Sequence, residues 1–214
     1  MIKLKIEDFK DEEETILWKG KPNKYVFVTE KIFTPLAIFA IIWMIFDIGF
    51  LAFFFTTTFQ HDEMKFMAIF LIPFMILHLM PVWIYLGGII FSFRNWKNTN
   101  YMVTDKAVYA TTGAFTVNCI RKTFQEITNV SFHQGLIDKN HNVGDVFIST
   151  GLTVSSNGKT KNAGINIIDI EDFLKVYKLI NKTGTDIFSD TMYPNNLRPD
   201  TNDGYKTKYN NENE

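Results

Sequence analysis

Two long apolar runs constrain this chain more than any other feature. The first, FTPLAIFAIIWMIFDIGFLAFFF from Phe33 to Phe55, is long enough to cross a hydrocarbon core of about 30 Å as a helix rising about 1.5 Å per residue. Its one charge is Asp47. A mid-membrane Asp costs roughly 2.5 to 3.5 kcal/mol, whereas the 14 Leu, Ile and Phe residues of the run contribute roughly 4 to 8 kcal/mol at about 0.3 to 0.6 each. Insertion is the expected outcome. The second run, FMAIFLIPFMILHLMPVWIYLGGIIFSF from Phe66 to Phe93, carries no formal charge. It is longer than a span needs, so it must tilt, kink near Pro73 or Pro81, or extend past the bilayer. The expectation is a membrane α-helical hairpin over residues 32–93.

The charged residues 1–31 before the first run do not fit a cleaved signal peptide. Orientation follows from lysine and arginine near the span ends. Lys19, Lys21, Lys24 and Lys31 precede the first run, Arg94, Lys97 and Lys106 follow the second, and the connecting TTTFQHDEMK holds only Lys65. The positive-inside rule then predicts two spans with both termini in the cytoplasm and a short outer loop. Trp18, Trp96 and Tyr101 stand where interfacial anchors would serve, and Trp18 could equally pack on the soluble part.

From Asn100 the texture changes to alternation. YMVTDKAVYATTG predicts two short strands around the turn at Thr104, Asp105 and Lys106, with Tyr101 and Val103 on one face. ITNVSFH, DVFIST, LTVSS and AGINIID continue the pattern, and Asn157-Gly158 is a hairpin signal. In IEDFLKVYKLINKTG the period becomes helical through Phe173, Val176, Tyr177 and Ile180, with Asp169 as a cap, Glu171 and Asp172 in the first turn and Gly184 as the stop. Residues 184–214, rich in Asn, Asp and Thr, are expected to form a disordered tail.

Together EETILWKGKP, two adjacent apolar runs, YMVTDKAVYATTG, FQEITNVSF, NVGDVFIST and IEDFLKVYKLI resemble the bacterial pleckstrin-homology-like (PH-like) domain family, over residues 13 to about 183. The resemblance implies a β-rich PH-like barrel of about seven strands capped by a C-terminal α-helix at residues 99–183, following the transmembrane hairpin. It also implies a setting in the bacterial cytoplasmic membrane and a binding or assembly role, with no enzymatic reaction. Fold alone does not specify the function.

Motifs with chemistry of their own are absent. HQGLIDKNHNVGDVFIST, residues 133–150, is dense in polar groups, but His133 and His141 lack a third ligand of convincing spacing for zinc. It reads as a loop, with Gly144 giving backbone freedom at the head of a strand. NGKT at 157–160 would need an earlier glycine at Thr153 to be a phosphate loop. No catalytic, cofactor or metal set is expected. The net charge of −1 excludes a strongly basic nucleic-acid footprint, and the single Cys119 excludes an internal disulfide and reads as a small buried hydrophobe.

Two groups of residues are candidates for function. Asp47 and His78 lie roughly 12 Å and 18 Å from the outer loop, about one helical turn apart, and form a candidate intramembrane polar pair. The alternative is a protonated Asp47 on a backbone carbonyl beside a neutral His78. Lys19, Lys21, Lys24, Lys31, Arg94 and Lys97 are candidate contacts for anionic lipid, or topology determinants alone. The leading expectation is a non-enzymatic membrane protein whose PH-like domain binds or assembles a protein partner, with a homo-oligomer left open. The alternatives are a lipid or stress sensor using the basic flanks, and a subunit of a membrane transport or enzyme complex using Asp47 and His78.

Overall fold

The computed structural model describes residues 4–58, 67–156 and 159–192. The connecting loop with Lys65, the turn at Asn157-Gly158 and the tail beyond residue 192 lie outside them. The chain forms two compact units, Val28–Arg94, and the residues up to Phe27 together with those from Asn95 onward.

In the first unit, helix α2 (Pro35–Thr58) is long and apolar enough to cross a membrane, by length and composition. The second apolar run forms helices α3 (Met67–His78) and α4 (Met80–Asn98), whose axes bend by 52° at Leu79. Pro81, in the first turn of α4, explains the break, because it offers no N–H to carry the hydrogen-bond ladder on from α3. Pro73 is accommodated inside α3. A further helix, α1 (Lys24–Ile32), precedes α2.

The second unit is built on β1 (Ile16–Gly20), β2 (Asn100–Thr104), β3 (Ala107–Thr112) and β4 (Asn118–Thr123), an antiparallel sheet in that order. A second antiparallel sheet has the order β5 (Asn129–His133), β6 (Gly144–Ser149), β9 (Ile165–Ile170). Strands β7 (Thr153–Ser156) and β8 (Lys159–Asn162) pair as a separate hairpin. The sheets do not close into a barrel: β4 and β5 are each edges, joined by a turn rather than by a ladder. Helix α6 (Phe173–Met192) packs Phe173, Val176 and Ile180 onto a core made by Tyr101, Val103, Val108, Val146, Ile148, Ile165 and Ile167.

The residues before the first apolar run are part of this unit. Strand β1 pairs antiparallel with β2, with Trp18 opposite Val103 and Gly20 opposite Tyr101. A 3₁₀ turn, Ile6–Phe9, packs Ile6 against Met102, Ala107 and Tyr109 on the outer face of β2 and β3. Both faces of those strands are therefore covered, which accounts for their nearly continuous burial. Glu14 fastens the segment: its fully buried carboxylate accepts from Thr104 Oγ1 at 2.8 Å, Tyr109 OH at 3.0 Å and Arg121 Nη2 at 2.8 Å. Trp18 packs on the core, and Tyr101 is buried within it with its hydroxyl accepting from Ile168 N–H at 3.2 Å, so neither serves as an interfacial anchor.

Three local expectations are corrected. Residues 136–141 are a short helix, α5 (Leu136–His141), rather than a loop, because the Asp138 carboxylate accepts from Gly135 N–H at 2.7 Å and Asn142 ends it in left-handed backbone at φ 54°. Gly144 is needed for space: a Cβ there would meet the Phe173 ring at 2.8 to 2.9 Å. Helix α6 starts at Phe173, leaving Asp169 in β9, and passes through Gly184 to Met192, since apolar Ile187 continues the buried stripe.

Candidate functional site

The turn from β4 to β5, the start of β5 and the C-terminal half of α6 enclose a groove of about 590 Å³. One wall is the segment that carries the chain from β4 to β5, with Phe124, Ile127 and Val130; the other is the C-terminal half of α6, with Ile180, Ile187 and Phe188. The first wall is held by Glu126, which accepts from Thr123 N–H at 2.8 Å and Thr123 Oγ1 at 3.0 Å and pairs with Lys122 at 3.1 Å. The Thr123 backbone bond, with the Lys122 contact, keeps the Glu126 carboxyl below the usual carboxylate range. Thr128 N–H donates to Ser149 O at 2.8 Å, tying the end of the turn to the second sheet.

The second wall exists because α6 outruns Gly184. Phe188 is 63% exposed at the groove, and Asn181 and Thr185 supply polar edges. Beyond the groove on the same side, Phe132 of β5 is about half exposed and stands 5.8 Å from the Phe173 ring and 5.2 Å from the Tyr177 ring. The groove thus has an apolar floor with polar edges. Sequence reading missed this groove; the amphipathic residues after Gly184 were the signal that could have found it.

Asp47 and His78 come together within the first unit. His78 Nδ1 stands 2.9 Å from Asp47 Oδ1, and Asp47 is 2% exposed. The contact is short but poorly aligned: neither Asp47 oxygen nor Nδ1 has a well-directed hydrogen bond among the described residues. The imidazole is stacked between Trp43 and Phe74, at 5.0 and 5.1 Å, and Trp43 Nε1 donates to His78 O at 2.9 Å.

The basic candidates separate by unit. Lys31 and Arg94 belong to the helical unit. In the sheet unit, Lys21 Nζ lies 4.1 Å over the Trp96 ring and donates to Lys97 O at 3.1 Å, while Lys24 Nζ lies 5.4 Å from the same ring. Trp96 Nε1 donates to Pro22 O at 2.8 Å. Lys19 pairs with Glu7, which holds the Glu7 carboxyl below its usual range.

Two antiparallel sheets of four and three strands with a C-terminal helix across them define a PH-like module. The bacterial PH domain family matches residues 31–183, which is most of the chain, and the chain belongs to that family. No curated protein and no solved structure matches it.

Proposed function

We propose that this chain is a non-enzymatic membrane protein that holds a PH-like module at the cytoplasmic face and recruits a protein partner into the groove between α6 and the β4–β5 turn. The observation that carries the tether is the pairing of β1 with β2. Strands on opposite sides of a bilayer cannot pair, so the apolar residues between them cross an even number of times. Helix α2 and the bent α3–α4 pair are the two crossings, in keeping with the lysines at both ends. Tethering raises the local concentration of the module, so a modest groove affinity suffices.

Site-specific photo-cross-linkers at Thr185 and Asn129, on the groove edges, test the reading, with Lys175 on the exposed side of α6 as control. A discrete protein adduct from the groove positions, lost on Phe188→Asp, is expected. Adducts with lipid alone, or equal labelling from Lys175, would overturn it.

A second reading rests on a recess of about 590 Å³ that gathers Lys5, Lys19, Lys21 and Lys97 with Glu7 and the exposed Phe115. Four lysines against one carboxylate favour anionic lipid head groups, and this reading requires binding that weakens steeply with salt.

A further inference from the structure

We propose that the connection from β3 to β4 is a membrane-docking loop: Phe115 enters the head-group layer of the bilayer that holds the chain, while Lys5, Lys19, Lys21 and Lys97 meet its anionic phospholipids. This docking presupposes the membrane tether and gives the lysine-lined recess one occupant, the bilayer surface itself. Phe115 stands midway between β3 and β4 and is 70% exposed. Val117 and Leu4, also exposed, line the same recess. Lone exposed apolar residues are ordinary on a soluble surface, but three around a cationic recess match the pairing of apolar and basic groups that interfacial segments use.

The loop is fastened to the stretch of chain that leaves the apolar run. Gly113 has φ 129°, and a Cβ there would collide with Thr116 O, so the turn is tight and its shape is fixed. Asn95 Oδ1 accepts from Gly113 N–H at 2.8 Å, and Asn98 Nδ2 donates to Gly113 O at 2.8 Å. Asn98 O also accepts from Thr111 Oγ1 at 2.9 Å. Asn95 and Asn98 belong to the last turn of α4, two and five positions after Phe93, where the second apolar run ends. At a rise of about 1.5 Å per residue, both anchors lie within about 8 Å of that end. The head-group layer on each side of a bilayer core is about 5 to 8 Å thick, so the loop is anchored at its depth.

Charge selects the lipid. Four lysines against Glu7 leave the recess with three net positive charges. Lys21 Nζ lies 4.1 Å over the Trp96 ring, so a cation and an indole stand together just past the apolar run. Each lysine held near an anionic leaflet adds to the attraction, and salt screens it. Because the chain is already tethered, a contact too weak to bring a soluble protein to the membrane suffices to dock the loop. Docking would fix the orientation of the module at the surface, which a tether alone does not.

The experiment places an environment-sensitive fluorophore at Thr116→Cys in the full-length Cys119→Ser protein. The protein is reconstituted in nanodiscs of phosphatidylcholine, with or without phosphatidylglycerol, that carry a lipid quencher near the head group. In discs with phosphatidylglycerol the emission should shift to the blue and be quenched. Both effects should be lost in phosphatidylcholine alone, in about 1 M salt, where the Debye length is about 3 Å, and on Phe115→Asp. Lys5→Gln combined with Lys97→Gln leaves the Lys19–Glu7 and Lys21–Trp96 contacts in place and should weaken the quenching. A label at Lys175→Cys, on the exposed side of α6, should report water throughout. A water-exposed label at residue 116 in the anionic discs would overturn the proposal, as would quenching that neither Phe115→Asp nor the lysine pair alters. Release of the protein from liposomes by alkaline carbonate would sink the membrane tether and the docking together, whereas a carbonate-resistant chain with a water-exposed label sinks the docking alone.

Discussion

Glu14 shows how much one side chain can decide here. Burial alone would raise its pKa, but hydrogen bonds from Arg121, Thr104 and Tyr109 bring it below the usual carboxylate range, and burial pushes the Tyr109 phenol up to about 12. A carboxyl depressed on folding adds stability above its unfolded pKa and loses it as pH falls through the folded value. Chemical unfolding of the full-length protein should therefore show a loss of stability below about pH 4.5 that Glu14→Gln largely lacks. At neutral pH the same variant should cost about 1 to 3 kcal/mol, because a buried carboxylate that accepts from Arg121, Thr104 and Tyr109 is replaced by an amide that cannot accept from all three. A flat pH profile in the unmodified protein would remove Glu14 from this role. Asp47 and His78 call for a different measurement. A double-mutant cycle with Asp47→Ala and His78→Ala, read by unfolding in a bicelle, should give a coupling of about 1 kcal/mol. Zero coupling would mean that their proximity carries no energy.

At the scale of elements, close packing and helix length make opposite predictions for two glycines. Gly144→Ala drives a methyl into the Phe173 ring and should destabilise by about 1 to 3 kcal/mol, an effect that a Phe173→Leu background should relieve. Gly184→Ala lies in a helix interior, where the new Cβ would rest at an ordinary 3.7 Å from Phe124. It should stabilise by about 0.5 to 1 kcal/mol, whereas a true helix stop at Gly184 would make the same change neutral or harmful. The β2–β3 hairpin, β5, β6, β9 and α6 were legible because side-chain period and turn chemistry are local. Helix α5 was not, because it depends on Asp138 reaching Gly135 N–H within a polar stretch. The groove was not legible either, since it needs the β4–β5 turn and the last turns of α6, far apart in the chain, to meet.

For the whole molecule, the decisive contact joins Ile16–Gly20 to Asn100–Thr104 across both apolar runs. With Cys119→Ser as background, cysteines at Glu12 and Thr116 should both resist a membrane-impermeant maleimide in intact cells, while His61→Cys in the connecting segment should react. Labelling of Glu12→Cys and Thr116→Cys from opposite sides would exclude the even number of crossings. Hydropathy, strand alternation and the helical period of α6 are short-range properties, so the sequence by itself determined the apolar helices, most of the strands and the family resemblance. Only the tertiary structure decided that the charged N-terminal segment is a strand of the first sheet, that the sheets stay open beside α6, and that the buried carboxylates of Asp138 and Asp169 come together. Each of these depends on backbone and side-chain partners far apart in the chain, and no local pattern encodes which distant partner will satisfy a sheet edge or a buried charge.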